Sequence, residues 1–236
     1  MATHLLTGAG SGIGEALADL LHARGDALVL LARSPERAEQ LSGRYDGAQV
    51  LVADLADPDA VRRLGLPGEP PGELPDALDS VVHAAGVVDL GTVAELSVEA
   101  WRSQLEVNLL APAVLTRAAL PALRAARGTA VFVNSGAGLH ANPEWAAYAA
   151  SKFGLRALAD ALRQEEAGQG VRVTTVYPGR TATPMQQRVH DQEGKAYDAA
   201  AWIRPGTVAA AIAQVLDLPR DAAVPDLTVS PGPGEA

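Results

Sequence analysis

The sequence predicts an α/β fold of the doubly wound, three-layer kind, with a mainly parallel sheet of seven strands. Three observations carry this. Short apolar runs alternate with longer amphipathic stretches, the first run leads into a glycine-rich turn at residues 7–14, "TGAGSGIG", and no repeat or composition break divides the chain. Strands separated by helices run parallel, and both faces of such a sheet are covered.

The elements follow in order. A strand near 4–7, a helix near 12–24 and a strand near 27–32 make the first βαβ unit. Ser34, Pro35 and Glu36 read as an N-cap, a proline at the first helical position and an acidic first turn, starting a helix that ends near Tyr45. "AQVLVAD" and "LDSVVHAAG" are strands three and four. Between them the proline- and glycine-rich "LGLPGEPPGELPDA" leaves room only for a short helix near 57–64 and a surface loop. Ser97 caps a helix over about 98–110, and "APAVLTRAALPALRAA" continues it, with Pro112 and Pro121 as candidate kink or restart points. "TAVFVNS" is strand five, 145–167 a long helix, "VRVTTVYPG" strand six, 206–216 a helix and "DLTVS" the last strand.

A chain of 236 residues, 48% apolar, suffices for one large α/β domain, expected over 1–230. Residues 231–236, "PGPGEA", have nothing to bury and are expected to be a disordered tail. With 28 acidic against 19 basic residues, the net charge of −9 argues against non-specific attraction to nucleic acid or an anionic membrane. The absence of cysteine excludes disulfides and thiolate chemistry, and the histidines at 4, 22, 83, 140 and 190 show no metal-ligand spacing, so no metal site is expected. The N-terminus lacks the pattern of a secretory signal, and no 18 consecutive residues are apolar. The expectation is a soluble cytoplasmic protein.

The turn at 7–14 has the spacing G-x-x-x-G-x-G, on Gly8, Gly12 and Gly14. Glycines there permit a tight turn and close approach of backbone to a ligand, and the following helix offers its N-terminal amides to a pyrophosphate, as in Rossmann-type folds. The second strand ends at Arg33 and Ser34, with no acidic residue between Asp26 and Glu36. A carboxylate there would suit the ribose 2′-hydroxyl of NAD(H), whereas a guanidinium and a hydroxyl suit a 2′-phosphate. NADP(H) is therefore the expected cofactor.

In "WAAYAASK", Tyr148 and Lys152 are four apart on one helix, which puts their β-carbons about 5–6 Å apart on one face. A free phenol titrates near pH 10 and needs a nearby cation to act as a base near neutrality. Lys152 can supply that cation.

The chain resembles the short-chain dehydrogenase/reductase family over most of its length. The resemblance is carried in order by "TGAGSGIG", "ADL" at 53–55, "HAAG" at 83–86, Asn108 in "EVNLLAP", Ser135 in "VFVNSGAG", "YAASK" at 148–152 and "YPGRTATPM" at 177–185. It implies that Tyr148 exchanges a proton with the substrate oxygen and that Lys152 binds the nicotinamide ribose and lowers the phenol's pKa. Ser135 would hydrogen-bond the substrate oxygen, and Asn108 would hold a water continuing the relay through Lys152. Cofactor contacts are implied for Gly8, Ser11, Gly12, Ile13 and Gly14 in the turn, Asp54 and Leu55 at the adenine, and Ala84, Ala85 and Gly86 in the cleft. Pro178, Gly179, Thr181 and Thr183 would complete the nicotinamide side.

His83 and Ala84 stand where the family often has two asparagines, which questions the usual side-chain bridges between central strands. His140 and Trp145 either line the substrate pocket or belong to a surface loop. The resemblance also implies a substrate-binding lobe over 180–204, and a homodimer or homotetramer formed through the alanine-rich helices. The leading reading is an NADP(H)-dependent oxidoreductase interconverting a small carbonyl compound and a secondary alcohol. The alternatives are NAD-linked alcohol oxidation, imine or double-bond reduction, and a non-catalytic NADP-binding sensor. A sensor predicts degraded catalytic positions, yet Asn108, Ser135, Tyr148 and Lys152 are all present.

Overall fold

The computed structural model describes residues 1–64 and 72–232. The chain builds β1 (Thr3–Thr7), α1 (Gly12–Ala23), β2 (Ala27–Ala32), α2 (Pro35–Arg44), β3 (Gln49–Val52), α3 (Pro58–Arg63) and β4 (Ser80–His83). It continues with α4 (Val98–Leu105), α5 (Ala111–Ala126), β5 (Thr129–Val133), α6 (Ala146–Glu166), β6 (Arg172–Pro178), α7 (Pro184–Gln192), α8 (Pro205–Leu216) and β7 (Asp226–Val229). The seven strands form one sheet in the order β3-β2-β1-β4-β5-β6-β7, and every neighbouring pair is parallel. The fold class read from the sequence holds, with a sheet parallel throughout. From β1 the chain winds outward to β3, then returns beside β1 and winds the other way, so a crevice opens above the ends of β1 and β4.

Strand side chains alternate between two cores. Leu5, Val81 and Phe132 face α3, α5 and α6, whereas Leu6, Val82 and Val131 face α1, α2 and α8. The expected caps form. Ser34 Oγ accepts from the Arg37 amide at 3.3 Å and Ser97 Oγ from the Ala100 amide at 3.1 Å. Asp57 caps α3 through the amides of Asp59 and Ala60.

The helix after Ser97 deviates where Pro112 requires it. Between α4 and α5 lies one turn of π-helix, Glu106–Leu110. Pro112 has no N–H, so the α-helical bond to the Asn108 carbonyl four residues back cannot form, and the helix widens instead. Pro121, the other proposed break point, is absorbed inside α5 without interruption. The whole stretch Val98–Ala126 is long and apolar enough to cross a membrane by length and composition alone. Its inner face, including Ala111, Leu115, Ala119 and Leu123, is part of the core.

Residues 65–71 of the proline-rich loop and 233–236 of the expected tail lie outside the described residues. Residues 180–204 hold α7, a single 3₁₀ turn at Ala199–Ala201 and a bridge between Thr181 and Ile203.

His83 and Thr7 answer the question raised by the missing asparagines. Thr7 Oγ1 accepts from the amides of Ala84 and Ala85, each at 3.1 Å, and so ties β1 to the end of β4. His83 stacks on Phe132 and bonds Thr116 Oγ1 at 2.9 Å. Complete burial pushes its imidazole down to about 3, so it is neutral in the fold. Because the unfolded imidazole binds its proton first, near its ordinary 6.5, this stabilisation is whole above about pH 6.5 and drains away as pH falls towards about 3. His83→Gln is expected to shrink the loss of unfolding free energy on going from about pH 6.5 to pH 4, read by urea titration. An unchanged slope would exclude His83 as a source of acid lability.

Candidate active site

The C-terminal ends of β1, β4, β5 and β6 open into one cleft. β5 delivers Asn134 and Ser135. Asn134 is buried; its Oδ1 accepts from the Ser135 amide at 2.8 Å and its Nδ2 donates to the Lys152 carbonyl at 3.0 Å. One carboxamide thus pins the strand end to α6. Ser135, in extended conformation, accepts from the Ala137 amide at 3.2 Å and opens the 3₁₀ turn Gly136–Gly138.

Tyr148 and Lys152 project from the first turns of α6 into this cleft, only 6% and 4% exposed. Lys152 Nζ donates to the Val133 carbonyl at 3.0 Å and lies 5.7 Å from the centre of the Tyr148 ring. Burial lowers the lysine to about 8. Burial also raises the phenol to about 12, against a hydrogen bond with Ser135 that works to lower it. Desolvation outweighs that bond, and the phenol stands protonated near neutrality.

Asn108 sits in the π turn with its side chain saturated. Oδ1 accepts from the Val87 amide at 2.9 Å, while Nδ2 donates to the Val87 carbonyl at 2.9 Å and to Ser151 Oγ at 3.0 Å. Ser151 in turn donates to the Tyr148 carbonyl at 2.7 Å. The side chain locks α6 to the chain after β4, and the backbone carbonyl is the group that Pro112 leaves without its α-helical donor.

The glycine turn fits a dinucleotide's backbone approach. Gly8 has φ +75°, and a β-carbon there would stand 2.8 Å from the Ala85 amide nitrogen; one on Gly14 would stand 2.4 Å from the Gly8 carbonyl oxygen. Any side chain at either position would close the turn. Ser11, Gly12, Ile13, Ala84, Ala85 and Gly86 line the cleft with Pro178, Gly179, Thr181 and Thr183. The two threonine hydroxyls are engaged locally: Thr181 Oγ1 donates to the Gly179 carbonyl at 2.9 Å, and Thr183 Oγ1 caps α7 by accepting from the Gln186 amide at 3.1 Å.

On the far side of the glycine turn, Arg33, Ser34, Asp54 and Leu55 border a second opening with Gly8 and Ser11. Arg33 is exposed, and no hydrogen bond or ion pair holds its guanidinium among the described residues. Asp54 accepts from the Ala56 amide at 2.9 Å, so it also shapes its own turn. Sequence reasoning missed Arg37, whose guanidinium donates to the Gly10 carbonyl and to Gln40 beside the same opening. Its position one turn into α2, after the Ser34 cap, was the available signal. Asn134 was missed as well, although it directly precedes Ser135. Trp145 lines the cleft and meets the Tyr148 ring edge-on at 5.7 Å; His140 is exposed and outside the cleft lining.

A glycine cradle at the sheet's reversal point, opening beside Ser135 and the buried Tyr148 and Lys152, defines a nucleotide-binding oxidoreductase of Rossmann type. A family model described as short chain dehydrogenase matches residues 2–194, and the chain belongs to the short-chain dehydrogenase/reductase family. Nodulation protein G of Rhizobium sp. (strain N33) is 35% identical over 198 residues, 83% of this chain and 80% of that protein. An uncharacterized oxidoreductase of Staphylococcus aureus (strain N315) is 28% identical over 230 residues, covering 96% of each chain. Among solved structures, alcohol dehydrogenase from the archaeon Thermococcus sibiricus, complexed with 5-hydroxy-NADP, superposes with a TM-score of 0.78 at 28% identity over 97% of this chain and 96% of that one. The closed form of serine dehydrogenase complexed with NADP+ matches in fold, with a TM-score of 0.83 at 24% identity over 96% and 94% of the two chains.

Proposed function

We propose that this oxidoreductase uses NADP(H) to interconvert a carbonyl compound and a secondary alcohol in the cytoplasm, with Tyr148 as proton donor and acceptor. The observation that carries the reading is the buried phenol of Tyr148, flanked by Ser135 and Lys152 in a cleft continuous with the glycine cradle. When bound, the dinucleotide supplies or accepts the hydride. In reduction, Tyr148 gives its proton to the substrate oxygen, and Ser135 supports that oxygen as charge develops. The Lys152 ammonium then stabilises the phenolate, and Asn108 leads the replacement proton to the lysine through water at its backbone carbonyl. Residues 180–204 act as the substrate lobe within a single catalytic domain over 1–230.

Arg33 and Ser34, with Arg37 beside them, favour NADP(H) over NAD(H) by offering donors to a 2′-phosphate. The NADP-type ligand of the archaeal neighbour supports this reading. A panel of ketones, aldehydes, diketones and alcohols, followed at the nicotinamide absorbance with both cofactors, tests it. Turnover of none of them, with cofactor bound, would favour the sensor instead.

We further propose that the chain assembles as a homodimer or homotetramer through the helical stretch 98–126, which holds α4 and α5, and through α6. Val98, Trp101, Leu105, Leu109 and Leu110 form an outward apolar groove, with Val98 65% and Leu110 43% exposed. Arg102 and Glu106 border it without an ion-pair partner among the described residues, so a twofold pairing of identical faces matches charge with countercharge. Light scattering is expected to return a multiple of the 24.3 kDa chain mass. A monomer at working concentration would remove the idea, and Leu110→Glu should release monomers if it is right.

A further inference from the structure

We propose that Glu193 sets the substrate class of this cleft: by holding the guanidinium of Arg180 it denies that charge to carboxylates and reserves the site for uncharged, largely apolar carbonyl compounds. The inference rests on the carbonyl-reducing reading above. Among the described residues, two cationic side chains belong to the cleft lining, Lys152 and Arg180. Lys152 is buried at the base, with its ammonium on the Val133 carbonyl. Arg180 follows Pro178 and Gly179 at the cleft wall, where a guanidinium would ordinarily be the natural anchor for a carboxylate substrate.

Both Nη atoms of its guanidinium are already engaged. Nη2 and Nη1 meet the two Glu193 oxygens at 2.7 and 3.1 Å, and the guanidinium carbon sits 5.5 Å from the centre of the Trp202 ring. The Glu193 side chain is only 10% exposed and also receives Lys195 Nζ at 3.2 Å. The Arg180 guanidinium holds the Glu193 carboxyl below the usual carboxylate range, so the pair is ionised and its charges cancel at neutral pH. Beside the phenol, Ala137, Trp145 and Met185 give the cleft an apolar flank, backed by the buried Val88 and Val189, and the polar lining residues Ser135, Asn142 and Gln186 are uncharged. A carboxylate entering there loses its hydration and finds no free cation in exchange.

The decisive probe is one ketone in two charge states, methyl benzoylformate and benzoylformate. Reduction by NADPH gives kcat/KM for each, and quenching of tryptophan fluorescence in the NADP+-loaded protein gives each Kd. The wild type is expected to favour the ester by about tenfold or more in both quantities, the size of one charge-assisted hydrogen bond gained or lost. Glu193→Gln should narrow that ratio about tenfold, chiefly through the KM and Kd of the acid, and Glu193→Asp should restore it. A wild type that prefers the acid overturns the proposal, as does a folded Glu193→Gln protein that keeps the wild-type ratio. Should Glu193→Gln fail to fold, the double variant Arg180→Gln/Glu193→Gln, which removes both charges of the pair, decides: acid binding within about twofold of the wild type supports masking, whereas a tenfold loss of acid binding shows that Arg180 was open to carboxylates all along. Ester-selective binding without any turnover would sink the carbonyl-reducing reading and leave the substrate class standing; turnover with equal binding of the two would do the reverse.

Discussion

Tyr148→Phe is expected to cut turnover by about 10²–10⁴-fold, the usual contribution of a positioned general acid, while NADP(H) binding changes little. The substitution removes one oxygen and keeps the ring that packs against Trp145 and the apolar wall. The pH profile should carry the same signature. With the phenol raised to about 12, the proton needed for carbonyl reduction is in place throughout the neutral range. Lys152 titrates at about 8, so above that pH the ammonium that stabilises the departing phenolate is lost and reduction slows. Alcohol oxidation needs the phenolate first and should instead gain with rising pH. Steady-state kcat/KM in both directions against pH checks the signs, and full activity in Tyr148→Phe would reject the assigned proton donor.

Arg33→Asp is expected to lower the preference for NADP(H) over NAD(H) by about 10–100-fold, the worth of one charge-assisted contact plus the carboxylate's repulsion of a 2′-phosphate. Because Arg33 is exposed and holds no other group among the described residues, the fold has little to lose by the change. The same Asp would offer the ribose hydroxyl of NAD(H) an acceptor. An unchanged cofactor ratio would exclude Arg33 as the phosphate contact and turn attention to Arg37, whose guanidinium lies beside the same opening.

Much of this architecture was legible because it is local. Short apolar runs bounded by turn residues marked the strands, and the caps Ser34 and Ser97 act within three residues of themselves. The glycine turn could be read because its requirement is steric and applies to the backbone of its own few residues. Tyr148 and Lys152 could be paired because helical geometry puts residues four apart on one face.

What stayed hidden depends on side-chain direction and on partners far along the chain. Pro112 marked a disturbance, but the same residue type at Pro121 left α5 continuous, so proline alone could not say which helix turn would widen. Thr7 looked like an ordinary strand end, yet its hydroxyl takes over the bridging to β4. Trp145 and His140 were equal candidates for the pocket until the chain after Ser135 turned one inward and left the other in solvent.

The sequence by itself determined the order of strands and helices, the glycine turn and the family, since each is written in residues that act on their near neighbours. Only the tertiary structure decided that Asn134 joins Ser135 to Lys152, that Asn108 spends its side chain on Val87 and Ser151, and that Glu193 engages Arg180. Those bonds join side chains brought together by the packing of separate elements. Spacing along the chain carries no measure of that distance.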